Sequence, residues 1–199
     1  MKIKKITVSV AVFLFLVSAE ILWGSGDVPA PRWEKGDWWQ IKVEVAHSGI
    51  SRSGLCEELY SDYLVKVGES GSPEVYGGEK KEIVDCSAVI SQLLDQGDKR
   101  GFLKFPLRVG QSWSFQYLRT SPGGKSRWVT AEHKVSGQEQ VMIGGEKIET
   151  LKIERSIEGE NTETYWYSPR AKANVLFRRS TARVNRTATV TGFGKSPPP

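Results

Sequence analysis

Few residues in this chain have the types and spacing that covalent chemistry needs. A serine-hydrolase elbow requires Gly-x-Ser-x-Gly, and the nearest approach, Gly49-Ile50-Ser51-Arg52-Ser53, lacks the final glycine that lets the turn close. Neither a phosphate-cradling glycine loop ending in Lys-Ser/Thr nor a dinucleotide fingerprint occurs. The two histidines, His47 and His133, have no Cys, His or Asp at ligand spacing, so no metal site and no cofactor are expected. His133 alternates with Glu132 and Lys134, which reads as a solvated strand face rather than a catalytic base. Carboxylates such as Glu57, Glu58, Glu139, Glu146 and Glu149 could supply a hydrolase with a pair roughly 5–10 Å apart. Their abundance makes that pattern unspecific, so no catalytic residue is assigned and a carboxylate-dependent hydrolase ranks last among the readings.

The aromatic residues carry more. Seven Trp stand in 199 residues. A row of indoles and phenols on a sheet would suit a lipid or another apolar or amphiphilic ligand, and the alternative is that they fill the core. Trp38, Trp113, Phe115, Tyr117, Tyr165 and Tyr167 are the candidate ligand-facing residues. Trp38 and Trp39 are adjacent, so in a strand they point to opposite faces, which makes Trp38 the aromatic expected to face outward or toward ligand.

The start of the chain reads as an export signal. Lys2, Lys4 and Lys5 precede the apolar run Ile6 to Val17, and Val17-Ser18-Ala19 has the form of a cleavage site. A signal peptide over residues 1–19 and a periplasmic or extracellular location are therefore expected. The rival is an uncleaved membrane anchor, because Ile21, Leu22 and Trp23 prolong the apolarity beyond Glu20. Removing the three lysines takes the net charge from +5 to +2 (5 − 3 = 2). In an oxidising compartment Cys56 and Cys86 read as one disulfide, against the alternative of two unrelated buried thiols.

Charge is unevenly placed. Residues 132–163 hold eight glutamates, whereas residues 164–199 hold no acidic residue. The basic set is Arg170, Lys172, Arg178, Arg179, Arg183 and Arg186, together with Lys195. These could meet anionic lipid or a polyanionic wall, or simply pair with the glutamates across neighbouring strands. No nucleic-acid partner is expected. An envelope protein partner is the other possibility, and the oligomeric state is open.

The elements that position these residues are strands. Gly110-Gln111-Ser112-Trp113-Ser114-Phe115-Gln116-Tyr117 alternates aromatic and polar residues with period two, as a half-buried strand requires. Gly36-Asp37-Trp38-Trp39-Gln40-Ile41-Lys42-Val43 repeats that pattern, so two related β-rich halves are expected, 33–101 and 102–194. Further strands are predicted over 57–67, near Val75 and Tyr76, and over 81–86, 127–135, 139–143, 148–157, 164–167 and 175–191. Residues 20–32 read as a mobile linker and 195–199 as a frayed tail. Only Ser87 to Gln96 switches to helical periodicity, through Val89, Ile90, Leu93 and Leu94. The expected fold is all-β: a strongly curved antiparallel sheet or open barrel with one short helix.

Several short pieces in the second half occur in a familiar order. They are Phe105-Pro106-Leu107 with Val109-Gly110 and Trp113, Val135-x-Gly137-x-Glu139-x-Val141, Thr150-Leu151-Lys152-Ile153-Glu154 and Tyr165-Trp166-Tyr167-Ser168-Pro169. Over residues 102–177 the chain thereby resembles the DUF3108-like exported domains of bacteria, whose function is uncharacterised. The resemblance implies a curved antiparallel sheet and brings no catalytic residues. The sequence thus points first to a non-enzymatic envelope protein holding an apolar or amphiphilic ligand, and second to a structural or protein-interaction module of the envelope.

Overall fold

A computed structural model describes residues 26–47, 62–78, 93–94, 103–120, 123–158, 160–180 and 184–196. They form β1 (Asp37–His47), β2 (Asp62–Val67), β3 (Pro73–Gly78), β4 (Ser112–Thr120), β5 (Ser126–Ile143), β6 (Glu146–Ile157), β7 (Glu160–Ser168), β8 (Ala173–Ser180) and β9 (Val184–Lys195). All join one antiparallel sheet in the order β3-β2-β1-β9-β8-β7-β6-β5-β4. The expected all-β curved sheet is thus the observed one. Residues 1–25, Cys56, Cys86, Arg183, the strand predicted over 81–86 and all of the predicted helix except Leu93 and Leu94 lie outside the described residues.

The sheet is two meanders, β1–β3 and β4–β9, joined where β1 pairs with β9. Among the described residues it does not close, β3 and β4 being its edges. It does curl, because β5 reaches β8 and β9. At the β5–β6 turn, a Cβ added to Gly144 would lie 3.4 Å from the Thr191 carbonyl oxygen of β9. Curling lets one face bury a shared core running from Val65 on β2 through Trp39, Ile41, Val190, Phe177, Tyr165 and Ile153 to Val135 on β5. Period-two alternation selects that face: along β1, Trp39, Ile41 and Val43 are buried while Lys42 and Glu44 are exposed.

Two local findings depart from the sequence expectation. Gly137 does not end a strand. It lies at a bulge between Val135 and Gly137, so β5 runs through as 18 residues, the extra residue being absorbed without breaking the ladder. The expected linker is docked at Val28, whose backbone exchanges two 2.8 Å hydrogen bonds with Leu107 and whose side chain is buried in the core.

The paired motifs do share a geometry. Glu34–Asp37 and Arg108–Gln111 each form a turn closed by a backbone hydrogen bond, of 2.9 and 3.1 Å. Gly36 and Gly110 take the third position with φ +90 and +86, the left-handed conformation that this position of a type II turn demands. Each glycine N–H then bonds a carbonyl beyond its own strand, Val67 for Gly36 and Val135 for Gly110.

Candidate functional site

Register builds the site. Trp113 on β4 faces His133 on β5, and His133 faces Arg155 on β6. Arg155 faces Glu163 on β7, Glu163 faces Arg179 on β8, and Arg179 faces Arg186 on β9. Directly paired residues share a face, so six strands contribute one transverse row on the side of the sheet that carries the core.

Glu163 is the hub of that row. Its Oε2 accepts from Arg155 Nη1 and from the Tyr165 hydroxyl, both at 2.6 Å, and Arg179 Nη1 stands 3.6 Å from Oε1. The side chains of Arg155 and Glu163 are 4% and 1% exposed, so this is a buried ion pair. Burial and the adjacent carboxylate push the Tyr165 hydroxyl well above the usual phenol range, which keeps it a donor. The Arg155 guanidinium also lies 5.7 Å from the Phe115 ring and 5.6 Å from the Tyr117 ring, within cation–π range of both.

His133 is buried, not solvated. Its ring stacks on Trp113 at 4.9 Å and 6° and on Phe115 at 5.4 Å and 23°. Burial, with the Arg155 charge behind it, pushes its pKa down to about 3. Among the described residues neither ring nitrogen has a hydrogen-bond partner. The row therefore carries three arginines, one carboxylate and a neutral imidazole.

The candidate ligand residues divide into three groups. Trp113, Phe115 and Tyr117 come together on the row's face of β4, the last two half-buried and 5.7 Å apart. Trp113 belongs to the main core, whereas Phe115 and Tyr117 adjoin Val129, Ala131 and Ile157, a small apolar cluster separate from it. Tyr165 and Tyr167 lie within the main core, where Tyr165 packs on Phe177 and Tyr167 on Phe105. Trp38 is on the opposite face, half-buried, and lies across β9: a Cβ on Gly194 would come within 3.1 Å of its indole nitrogen and one on Gly192 within 3.4 Å of its ring. Covering glycines of a neighbouring strand is a structural duty that adjacency to Trp39 did not reveal.

The basic set is likewise split between faces. Arg170 pairs with Glu146 at the surface, and Lys172 holds Asp37 at 2.8 Å. Arg178 lies over Trp166, whose indole N–H donates to Glu139 at 2.7 Å. That indole, with Lys152, lowers the pKa of Glu139, and Arg170 lowers that of Glu146; neither shift favours a proton-donating acid. Among the described members of the set, only Arg179 and Arg186 join the transverse row. A depression of about 510 Å³ lies over the edge of β4–β6. Ser112, Ser114, Glu132, Lys134, Glu154 and Ser156 line it together with Trp113, His133 and Arg155, with which they alternate along the three strands.

No protein-family model matches the chain, and no curated protein matches it. Among solved structures it is similar to the crystal structure of the hypothetical lipoprotein YmcC from Escherichia coli K12. Identity is 10% and the TM-score 0.34, over 86% of this chain and 92% of that one, too distant to transfer the role of any residue.

Proposed function

We propose that this chain is an exported, non-enzymatic protein of the bacterial envelope that holds an apolar or amphiphilic ligand on the row's face of β4–β6. The observation that carries the reading is the partly open aromatic pair Phe115 and Tyr117. It sits over Val129, Ala131 and Ile157, outside the main core and against a guanidinium. Apolar lining with a few placed polar groups is the usual make-up of a small-molecule site. The signal-like residues 1–19 support export, and the order of the DUF3108-like motifs supports an envelope protein of that kind. The test is native mass spectrometry of the mature protein recovered from its own envelope. A lipophilic adduct, lost in the double variant F115S/Y117S, is the expected result; a bare wild-type mass overturns the reading.

A second reading, a protein-interaction module, is favoured by one other observation. Among the described residues β4 has a strand neighbour on only one side, and Leu118 and Trp128, opposite each other across β4 and β5, are 54% and 67% exposed. A photo-crosslinker placed at position 128 should then capture one envelope protein reproducibly. Labelling of lipid or solvent alone rejects this alternative.

A further inference from the structure

The transverse row does not balance its own charge. The row sets Arg155, Arg179 and Arg186 against the single carboxylate of Glu163, with which Arg155 and Arg179 pair, and the neutral imidazole of His133 adds nothing. Arg155 takes the nearer oxygen at 2.6 Å, leaving Arg179 with a 3.6 Å approach to the other. Arg186 stands directly opposite Arg179, and like charges paired in this way repel. Its buried Nε has no hydrogen-bond partner among the described residues. Both side chains remain reachable: Arg179 is 31% exposed and Arg186 is half-buried. A pair of guanidinium groups over a carboxylate already committed elsewhere is suited to an anion, which can accept paired N–H donors from each fork.

We infer that Arg179 and Arg186 form an anion subsite and that the ligand is an acidic amphiphile. Its carboxylate or phosphate lies between the two guanidinium groups and its alkyl part runs toward Phe115 and Tyr117. The apolar half of this inference rests on the proposed function; the arginine half stands on the register alone. The geometry permits one molecule to reach both. Phe115 and Tyr117 lean over Arg155 on β6, and the arginine pair straddles β8 and β9, about two to three strand spacings away, or roughly 10–14 Å at ~4.8 Å per strand. Arg155 and Tyr165 fix the Glu163 carboxylate between these ends, so it orients Arg179 without neutralising the pair.

The experiment is calorimetric titration of the folded mature protein with decanoate, decanol and inorganic phosphate, below micellar concentrations. Wild type should bind decanoate at least tenfold tighter than decanol. R179Q/R186Q should reduce decanoate to the affinity of decanol and leave decanol unchanged, while F115S/Y117S should weaken both. In the ligand-free state R186Q should melt no lower than wild type, because it removes a like-charge pair. Equal affinity for decanoate and decanol overturns the anion subsite and leaves the proposed function standing. Phosphate binding that needs both arginines, without binding of either alkyl ligand, keeps the subsite for a free anion and overturns the amphiphile. No binding of any of the three rejects both.

Discussion

The indole N–H of Trp39 donates to the backbone carbonyl of Ala171 at 2.7 Å, across 132 positions of sequence. Trp33 does the same one residue on, to the carbonyl of Lys172 at 3.0 Å, and the two indoles meet edge to face. Lys172 is held at φ +56, which a non-glycine residue adopts only when its surroundings fix it. The start of β1 therefore clamps the β7–β8 turn. W39F should lose about 1–3 kcal/mol through an unpaired buried carbonyl. W33F, at a half-buried site, should lose less. Urea midpoints measure both, and an unchanged W39F midpoint refutes the clamp.

The Arg155–Glu163 pair makes a sharper prediction. Glu163→Ala strands two guanidinium groups and a phenol, and should cost about 3–5 kcal/mol in urea unfolding. R155M/E163L, which removes both buried charges, should recover most of that loss. A double variant as unstable as the single would mean that the pair is not the dominant cost.

His133 sets an acid limit. Its folded pKa, about 3, lies below the unfolded value of 6.5, so the unfolded chain takes up the proton first. The stability tied to the neutral ring is fully present above pH 6.5 and is lost as pH falls toward 3. The total is a few kcal/mol at most, at about 1.36 kcal/mol per pKa unit. Glu34, Glu139 and Glu146, lowered by Lys195, by Trp166 and by Arg170, add their own losses only below their ordinary 4.5. Wild type minus H133F should therefore decline between pH 6.5 and 4.5. Parallel curves there would show that the ring is not buried as a neutral base.

The paired turns can be compared directly. Gly36→Ala and Gly110→Ala each force a side chain into the left-handed region and should each cost about 1 kcal/mol. At Gly110 a Cβ meets nothing within 4 Å, so the whole cost is backbone strain. At Gly36 the nearest atom is the Ser196 amide nitrogen at 3.7 Å, ordinary contact, and the two losses should match within error. A neutral Gly110→Ala would contradict the turn assignment.

Much of the sheet was legible because strand alternation is local. Trp39, Ile41 and Val43, and Leu151 and Ile153, announce their buried face by spacing alone. The polar row was not, because Glu132, His133 and Lys134 look like three solvated residues until the register is followed. The signal was present: His133 keeps step with Val129, Ala131 and Val135, and Arg155 with Leu151, Ile153 and Ile157. A charged or titratable residue at an inward position of an otherwise apolar alternation is the clue, and only pairing with Glu163 explains how it is tolerated. Trp38 shows the opposite limit. Its role depends on Gly192 and Gly194, more than 150 residues later, and no local pattern could report them.

The junction of β1 with β9 carries a last consequence, for the order of assembly. Among the described strands every other pair is a neighbour in sequence and can form as soon as both partners exist, but β1 must wait for β9, the last of them. Until then the β1–β3 meander lacks β9 as its neighbour, and Trp38 has no glycine strand to cover. Non-local pairing of this kind delays folding. If the chain is exported unfolded, as the proposed function has it, the delay is useful: the contacts of Glu34, Gly36 and Asp37 with Lys195 and Ser196 cannot be made until the final strand has emerged on the far side.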